Sequence, residues 1–130
     1  MITLPFFKKK GTPTTGARVE QAAAQLVAKS GMTVVARNYT CRLGEIDIIA
    51  QKDDLLVFIE VRYRKQVKFG SGAESVTLAK QRKIIKAAQW YLQHTWPSAE
   101  PACRFDVIAV TGEPLQFDWI PHAFEVQEWN

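Results

Sequence analysis

Apolar positions recur along the chain with two different periods. From Ala17 to Ser30, the residues Val19, Ala22, Ala23, Leu26 and Val27 keep helical spacing, and Gly31 stands where a left-handed C-terminal cap belongs, which predicts a first helix. Three stretches that follow, MTVVARNY, EIDIIAQ and LLVFIEVRYR, predict strands, the last two separated by Lys-Asp-Asp turn chemistry, and together an antiparallel meander. After the Gly-rich connection KFGSGAES, a second helix of about four turns is predicted from near Thr77, with Ile84, Ile85, Ala88, Tyr91 and Leu92 as its apolar stripe. Pro97 and Pro101 bracket a loop, CRFDVIAV reads as a strand, and FDWIPHAFEVQEWN as a short closing segment.

With 130 residues, 47% of them hydrophobic, the chain has enough material for one core and one α/β or α+β domain. The start MITLPFFKKKGTPTTG puts its apolar residues ahead of Lys8, Lys9 and Lys10, the reverse of a secretory signal, and no apolar run approaches the length of a membrane span. A cytoplasmic protein is expected, with residues 1–16 a basic flexible arm and 17–130 the domain. The net charge of +4 favours an acidic partner without selecting one. Cys41 and Cys103 are far apart, and two histidines do not complete a zinc site, so reduced, packed thiols are expected. No base is evident that would make either a nucleophile.

The unusual chemistry lies in the middle of the two most apolar strands, which carry Glu45, Asp47, Glu60 and Arg62. Carboxylates placed where burial is imminent cost several kcal/mol each unless something compensates them. Side chains two apart in a strand share a face, so Glu45 and Asp47 lie opposite Ile46 and Ile48, and Glu60 and Arg62 lie opposite Ile59 and Val61. If Gln51-Lys52-Asp53-Asp54 closes a tight hairpin with Gln51 paired to Asp54, then Asp47 faces Phe58 and Glu45 faces Glu60. Asp47 and Glu60 become diagonal neighbours, with Cβ atoms roughly 6 to 8 Å apart, a gap two carboxylates can close around one Mg²⁺. The simpler alternative is an Arg62 to Glu60 ion pair, with Glu45 and Asp47 solvated on an open sheet face.

The blocks RNYTCRLGEIDIIA, VFIEVRYR, FGSGAESVTLAKQRKIIKAAQWYL and CRFDVIAV resemble the YraN family of small bacterial proteins, predicted nucleases. An early helical Glu, an Asp in the second strand and a Glu-x-Lys-like tripeptide in the third also resemble the wider PD-(D/E)xK, restriction-endonuclease-like superfamily and its archaeal Holliday-junction resolvases. The resemblance implies an α/β fold with a restriction-endonuclease-like three-layer core: a mixed β-sheet whose antiparallel hairpin carries the site, with helices packed on its faces. It implies Mg²⁺- or Mn²⁺-dependent cleavage of phosphodiester bonds in DNA, including branched or structured DNA. By position, Asp47 matches the metal-binding Asp, Glu60 the Glu of the motif and Glu20 the first-helix Glu, and Glu45 joins the metal shell. Arg62 falls where the superfamily carries its catalytic Lys, a departure, because a guanidinium orients and neutralises but does not take up a proton.

A basic surface accompanies these carboxylates. Lys80, Arg82, Lys83 and Lys86 avoid the apolar stripe of the second helix, and Arg64, Lys65 and Lys68 precede it beside Gly70 and Gly72. Such a group holds a nucleic-acid backbone without reading bases, or is simply a solvated helix face. Lys80 and Gln81 are candidates to support the site, Lys80 as a stand-in for the missing Lys. Asp106 pairs with Arg104 or turns toward the carboxylates, His94 complements a helix C-terminus, and Trp90, Trp96, Trp119 and Trp129 read as core or rim aromatics. DNA is the expected partner, with a homodimer admissible and no membrane. A non-catalytic DNA-binding protein with a relict site, and an interaction module that recruits a DNA-processing partner, stay open as alternatives.

Overall fold

The computed structural model describes residues 15–65 and 76–126. The expected basic arm up to Thr14, the KFGSGAES connection with Lys68, Gly70 and Gly72, and Trp129 lie outside them. Helix α1 (Thr15–Lys29) leads into β1 (Thr33–Cys41), β2 (Gly44–Lys52) and β3 (Leu55–Arg64); α2 (Leu78–Thr95), β4 (Ala102–Thr111) and β5 (Gln116–Phe124) follow. The strands form one mixed sheet in the order β1-β2-β3-β4-β5, with β3 and β4 parallel and every other pair antiparallel. The expected meander is present. The closing segment is a full nine-residue strand, and α2 runs eighteen residues, longer than its apolar stripe implied.

The helices cover opposite faces of the sheet. On the α2 side, Ile84, Ile85 and Ala88 pack with Ile49, Phe58, Phe105 and Val107; on the α1 side, Val19, Ala23 and Val27 pack with Ile48, Val57, Ile59 and Ile108. β3 lies at the centre with both faces covered, which is why Leu56-Val57-Phe58-Ile59 is a continuous apolar run rather than an alternating one. Phe58 anchors the α2 side, stacked on Phe105 at 5.5 Å and edge-on to Tyr91 at 6.1 Å. Thr77 caps α2, its hydroxyl accepting the Lys80 N–H at 3.1 Å.

One close approach fixes α2 against the meander. A Cβ on Gly44, at the start of β2, would lie 2.9 Å from the Lys83 carbonyl oxygen, so only glycine lets the β1–β2 turn touch the helix backbone there.

Two aspartates fill gaps in the hydrogen-bond ladders. Between β4 and β5 the register slips from Phe105↔Phe124 to Val107↔Ile120, and Asp106 occupies the break. Its carboxylate takes two bonds from Arg104 (2.8 Å each), one from Trp119 Nε1 (2.8 Å) and one from the His122 N–H (2.9 Å). Fully buried and four times hydrogen-bonded, Asp106 pairs with Arg104 and, beside Ile108 in alternation, faces α1. Cys41 packs against the α2-side core, but Cys103 is exposed rather than packed, because it lies at the outer end of β4 with its Sγ on the Pro101 carbonyl.

Candidate functional site

The second ladder gap lies between β2 and β3. Their pairing is Lys52↔Leu55, Gln51↔Leu56, Ala50↔Val57 and Ile48↔Ile59, so the turn residues are Asp53 and Asp54, not Lys52 and Asp53. Asp53 supplies the turn with a φ of 53°, a left-handed conformation that Asp tolerates. This corrects the expected register by two residues. An even slip preserves which side chains share a face, and it improves the site: continued by one pair, the register sets Asp47 directly opposite Glu60 instead of diagonal to it. The ladder ends at Ile48↔Ile59, and Asp47 Oδ2 accepts the Val61 N–H at 2.8 Å in place of a backbone carbonyl.

Strict alternation fails beside Asp47. It would put Ile46 and Ile48 on one face, yet Ile46 belongs to the α2-side core and Ile48 to the α1-side core. Asn38, flanked by the pairs Arg37↔Ile48 and Tyr39↔Ile46, faces Asp47 across β1 and β2 with a φ of 52°, and this left-handed residue breaks the pleat. Glu45 is exposed on the rim, and the two-residue change of register carries it away from Glu60.

Glu60 is 5% exposed, and two cations converge on its Oε2: Arg62 Nη1 at 3.7 Å and Lys80 Nζ at 3.9 Å. Burial pushes the Glu60 carboxyl up to about 7; the Asp47 charge adds to the rise, while Lys80 and Arg62 oppose it. Burial raises Asp47 as well, against the hydrogen bonds from Val61 and Glu60 and the Lys80 charge, with Glu45 adding slightly to the rise. The two carboxyls interact directly and titrate as one unit. Two carboxyls pressed together, Glu60 buried and Asp47 half-buried, favour a positive charge between them, a proton or a metal ion.

The other expected residues divide. Lys80 reaches the pair from the first turn of α2, whereas Gln81 turns away and donates to the Val76 carbonyl at 3.0 Å. Glu20 stands half-buried on α1, which covers the opposite face of the sheet, so the structure does not bring it to the pair. Among the described residues no three His, Cys, Asp or Glu side chains converge as a metal cluster, and neither Glu20 nor Glu45 completes one with Asp47 and Glu60. Arg64 and Lys65 are exposed at the end of β3, and Arg82, Lys83 and Lys86 are exposed on α2.

These cations work against the helix that carries them. Within α2 there is no acidic residue, and Lys80/Lys83, Lys83/Lys86 and Arg82/Lys86 are like-charge neighbours at three- and four-residue spacing, each unfavourable by roughly 0.2–0.5 kcal/mol. Lys80 also sits at the positive end of the helix dipole. Helix stability alone does not account for the pattern.

The model of a family described as "Uncharacterised protein family UPF0102" matches residues 19–110. The chain belongs to the UPF0102 family. UPF0102 is the YraN family. A UPF0102 protein of Saccharophagus degradans is 48% identical over 114 residues, spanning 88% of this chain and 95% of its own. One from Aeromonas hydrophila is 50% identical over 113 residues, 86% of this chain and 85% of its own. One from Nitrosococcus oceani is 45% identical over 114 residues, 86% and 92% respectively. The UPF0102 match runs from Val19 in α1 to Val110 in β4, and so contains Asp47, Glu60, Arg62, Lys80 and the whole of α2. Among the described residues no helix is long and apolar enough to cross a membrane.

Proposed function

We propose that this protein is a metal-dependent endonuclease that cleaves phosphodiester bonds in DNA, with branched or otherwise structured DNA as the substrate class. The observation that carries the reading is the pairing of half-buried Asp47 with buried Glu60, with Arg62 and Lys80 directed at a single Glu60 oxygen. The donor set fits Mg²⁺ or Mn²⁺: two hard carboxylates, held side by side with raised pKa values, for which a divalent ion would replace the shared proton. Held by Asp47 and Glu60, such an ion would supply Lewis-acid polarisation of a phosphoryl oxygen and a more acidic bound water.

The protein's own groups supply the remainder. Arg62 and Lys80, drawn from the carboxylate to an arriving phosphate, neutralise its charge where negative charge accumulates during the displacement. A guanidinium orients and neutralises without exchanging a proton, so of the two cations Lys80 has the type of group that a Lys in the motif would offer. Glu45 borders the site from solvent. The basic flank of α2, with Arg64 and Lys65, holds the sugar-phosphate backbone by charge and reads no sequence.

One observation favours a second reading. With Arg62 in the motif position, a DNA-binding protein that no longer cuts would have the same surface. Digestion of a labelled four-way junction with Mn²⁺, by wild type, Asp47→Asn and Glu60→Gln, separates the two. Cleavage by wild type alone supports the nuclease; tight binding without cleavage by any of the three removes it in favour of the binder.

A further inference from the structure

Among the tryptophans of the described residues, Trp90 has the rim position. Trp96 packs into the α2-side core, and Trp119 donates to the buried Asp106. Trp90 instead lies half-exposed on α2, with the His94 imidazole stacked on it at 4.4 Å and 25°, and the Arg42 guanidinium 5.8 Å from its ring centroid. His94 and Arg42 are both exposed. Lys83, Lys86 and Trp90 follow at three- and four-residue intervals along this flank. Arg42 belongs to the turn that Gly44 presses against Lys83, and one helical turn back from Lys83 is Lys80, which reaches Glu60.

We propose that this flank binds an unpaired nucleic-acid strand, with its phosphates on Arg42, Lys83 and Lys86 and one base stacked at Trp90, leading the strand toward the Asp47–Glu60 pair. The inference rests on the nucleic-acid reading above and narrows it to a substrate with a single-stranded portion. Charge complementarity selects a polyanion, since four cations and no acid lie on α2. The aromatic selects a single strand. Bases in a duplex are already stacked on one another and offer phosphates but no free face, whereas an unpaired base has a π-face that takes the place of the exposed Arg42 guanidinium on indole. Displaced by the base, Arg42 is left beside the phosphates.

The test needs no catalysis. Fluorescence anisotropy with a labelled oligothymidylate, and with a duplex of equal length, is measured in EDTA for wild type, Trp90→Ala, Trp90→Leu and Trp90→Phe. Loss of one stacked base weakens binding by about 5- to 150-fold. That loss is expected for Ala and Leu on the single strand only, with duplex affinity held and Phe restoring most of the lost binding. Leu keeps apolar bulk without a π-face, and the unchanged duplex affinity certifies the fold. Single-strand affinity unchanged in Leu, equal losses on both nucleic acids, or no binding of oligothymidylate by wild type at low salt overturns the proposal. Trp90-dependent binding in a protein that never cleaves leaves this inference standing and removes the nuclease; cleavage with Trp90 irrelevant does the reverse.

Discussion

Replacing Glu60 by Gln should make the fold more stable at alkaline pH, although it deletes the group proposed to be essential. In the unfolded chain the carboxyl titrates near its ordinary 4.5, and in the folded protein at about 7. The folded state therefore holds this proton more tightly, and its contribution to stability is complete below pH 4.5, falls as pH rises and is gone once pH passes about 7. At about 1.4 kcal/mol per pH unit the interval is worth on the order of 3 kcal/mol. Lys80 and Arg62 are already included, since both act against the rise. Gln keeps the shape and the hydrogen-bond donor toward Asp47 and carries no charge at any pH. Urea denaturation followed by circular dichroism at about pH 4.5, 6, 7 and 8.5 should show wild-type stability declining along this series and Glu60→Gln nearly level, the curves diverging by about 3 kcal/mol at the alkaline end. Added Mg²⁺ at the alkaline end should recover stability in wild type and not in Gln, because an ion that binds only the folded state shifts the equilibrium by mass action. Parallel pH profiles would refute the reasoning, for they would mean that Glu60 is solvated enough to ionise freely.

Asp106→Ala should destabilise by roughly 3–5 kcal/mol by stranding Arg104 and opening the β4–β5 ladder, yet leave Mn²⁺ affinity measured by calorimetry unchanged, since Asp106 faces the other helix. Arg62→Ala should lower junction cleavage by about 10²–10³-fold while Arg62→Lys keeps or raises it, in a timed digest; undiminished Ala activity would pass the role to Lys80. DNA affinity should fall steeply with salt, and Lys83→Glu with Lys86→Glu should flatten the log–log slope by close to one for each phosphate no longer neutralised.

The strands and helices are legible in the sequence because apolar spacing is a burial signal, and β3 can be read to its end residues from the run LLVFI continued by the alternation of Glu60, Val61, Arg62 and Tyr63. The hairpin register is not, since Gln51-Lys52-Asp53-Asp54 holds no Gly or Asn to pin the turn; the face assignment survives only because the slip is even. Asn tolerates a left-handed φ but does not by itself announce one inside a strand, so the flip that separates Ile46 from Ile48 is not legible in the sequence. The Asp47–Glu60 pair follows from strand parity, a local property. Lys80 can be proposed but not placed, because its reach depends on how α2 docks. Glu20 is assigned by resemblance, and the face that α1 covers is a tertiary fact. Trp90 goes unmarked for the same reason: its companion Arg42 lies in a turn forty-eight residues earlier in the chain.

Gly44 stands three residues before Asp47, and Lys80 three residues before Lys83, the residue Gly44 touches. The turn and the helix thus form a caliper: a pivot of bare backbone and two short rigid arms, whose tips carry the carboxylate and the ammonium. A methyl group at position 44 opens the jaws without touching any charged atom, and an inserted residue in either arm rotates its tip away. Length changes should therefore be least tolerated within residues 44–47 and 80–83, and a site lost by Gly44→Ala should not be recovered by any change at Asp47 or Lys80.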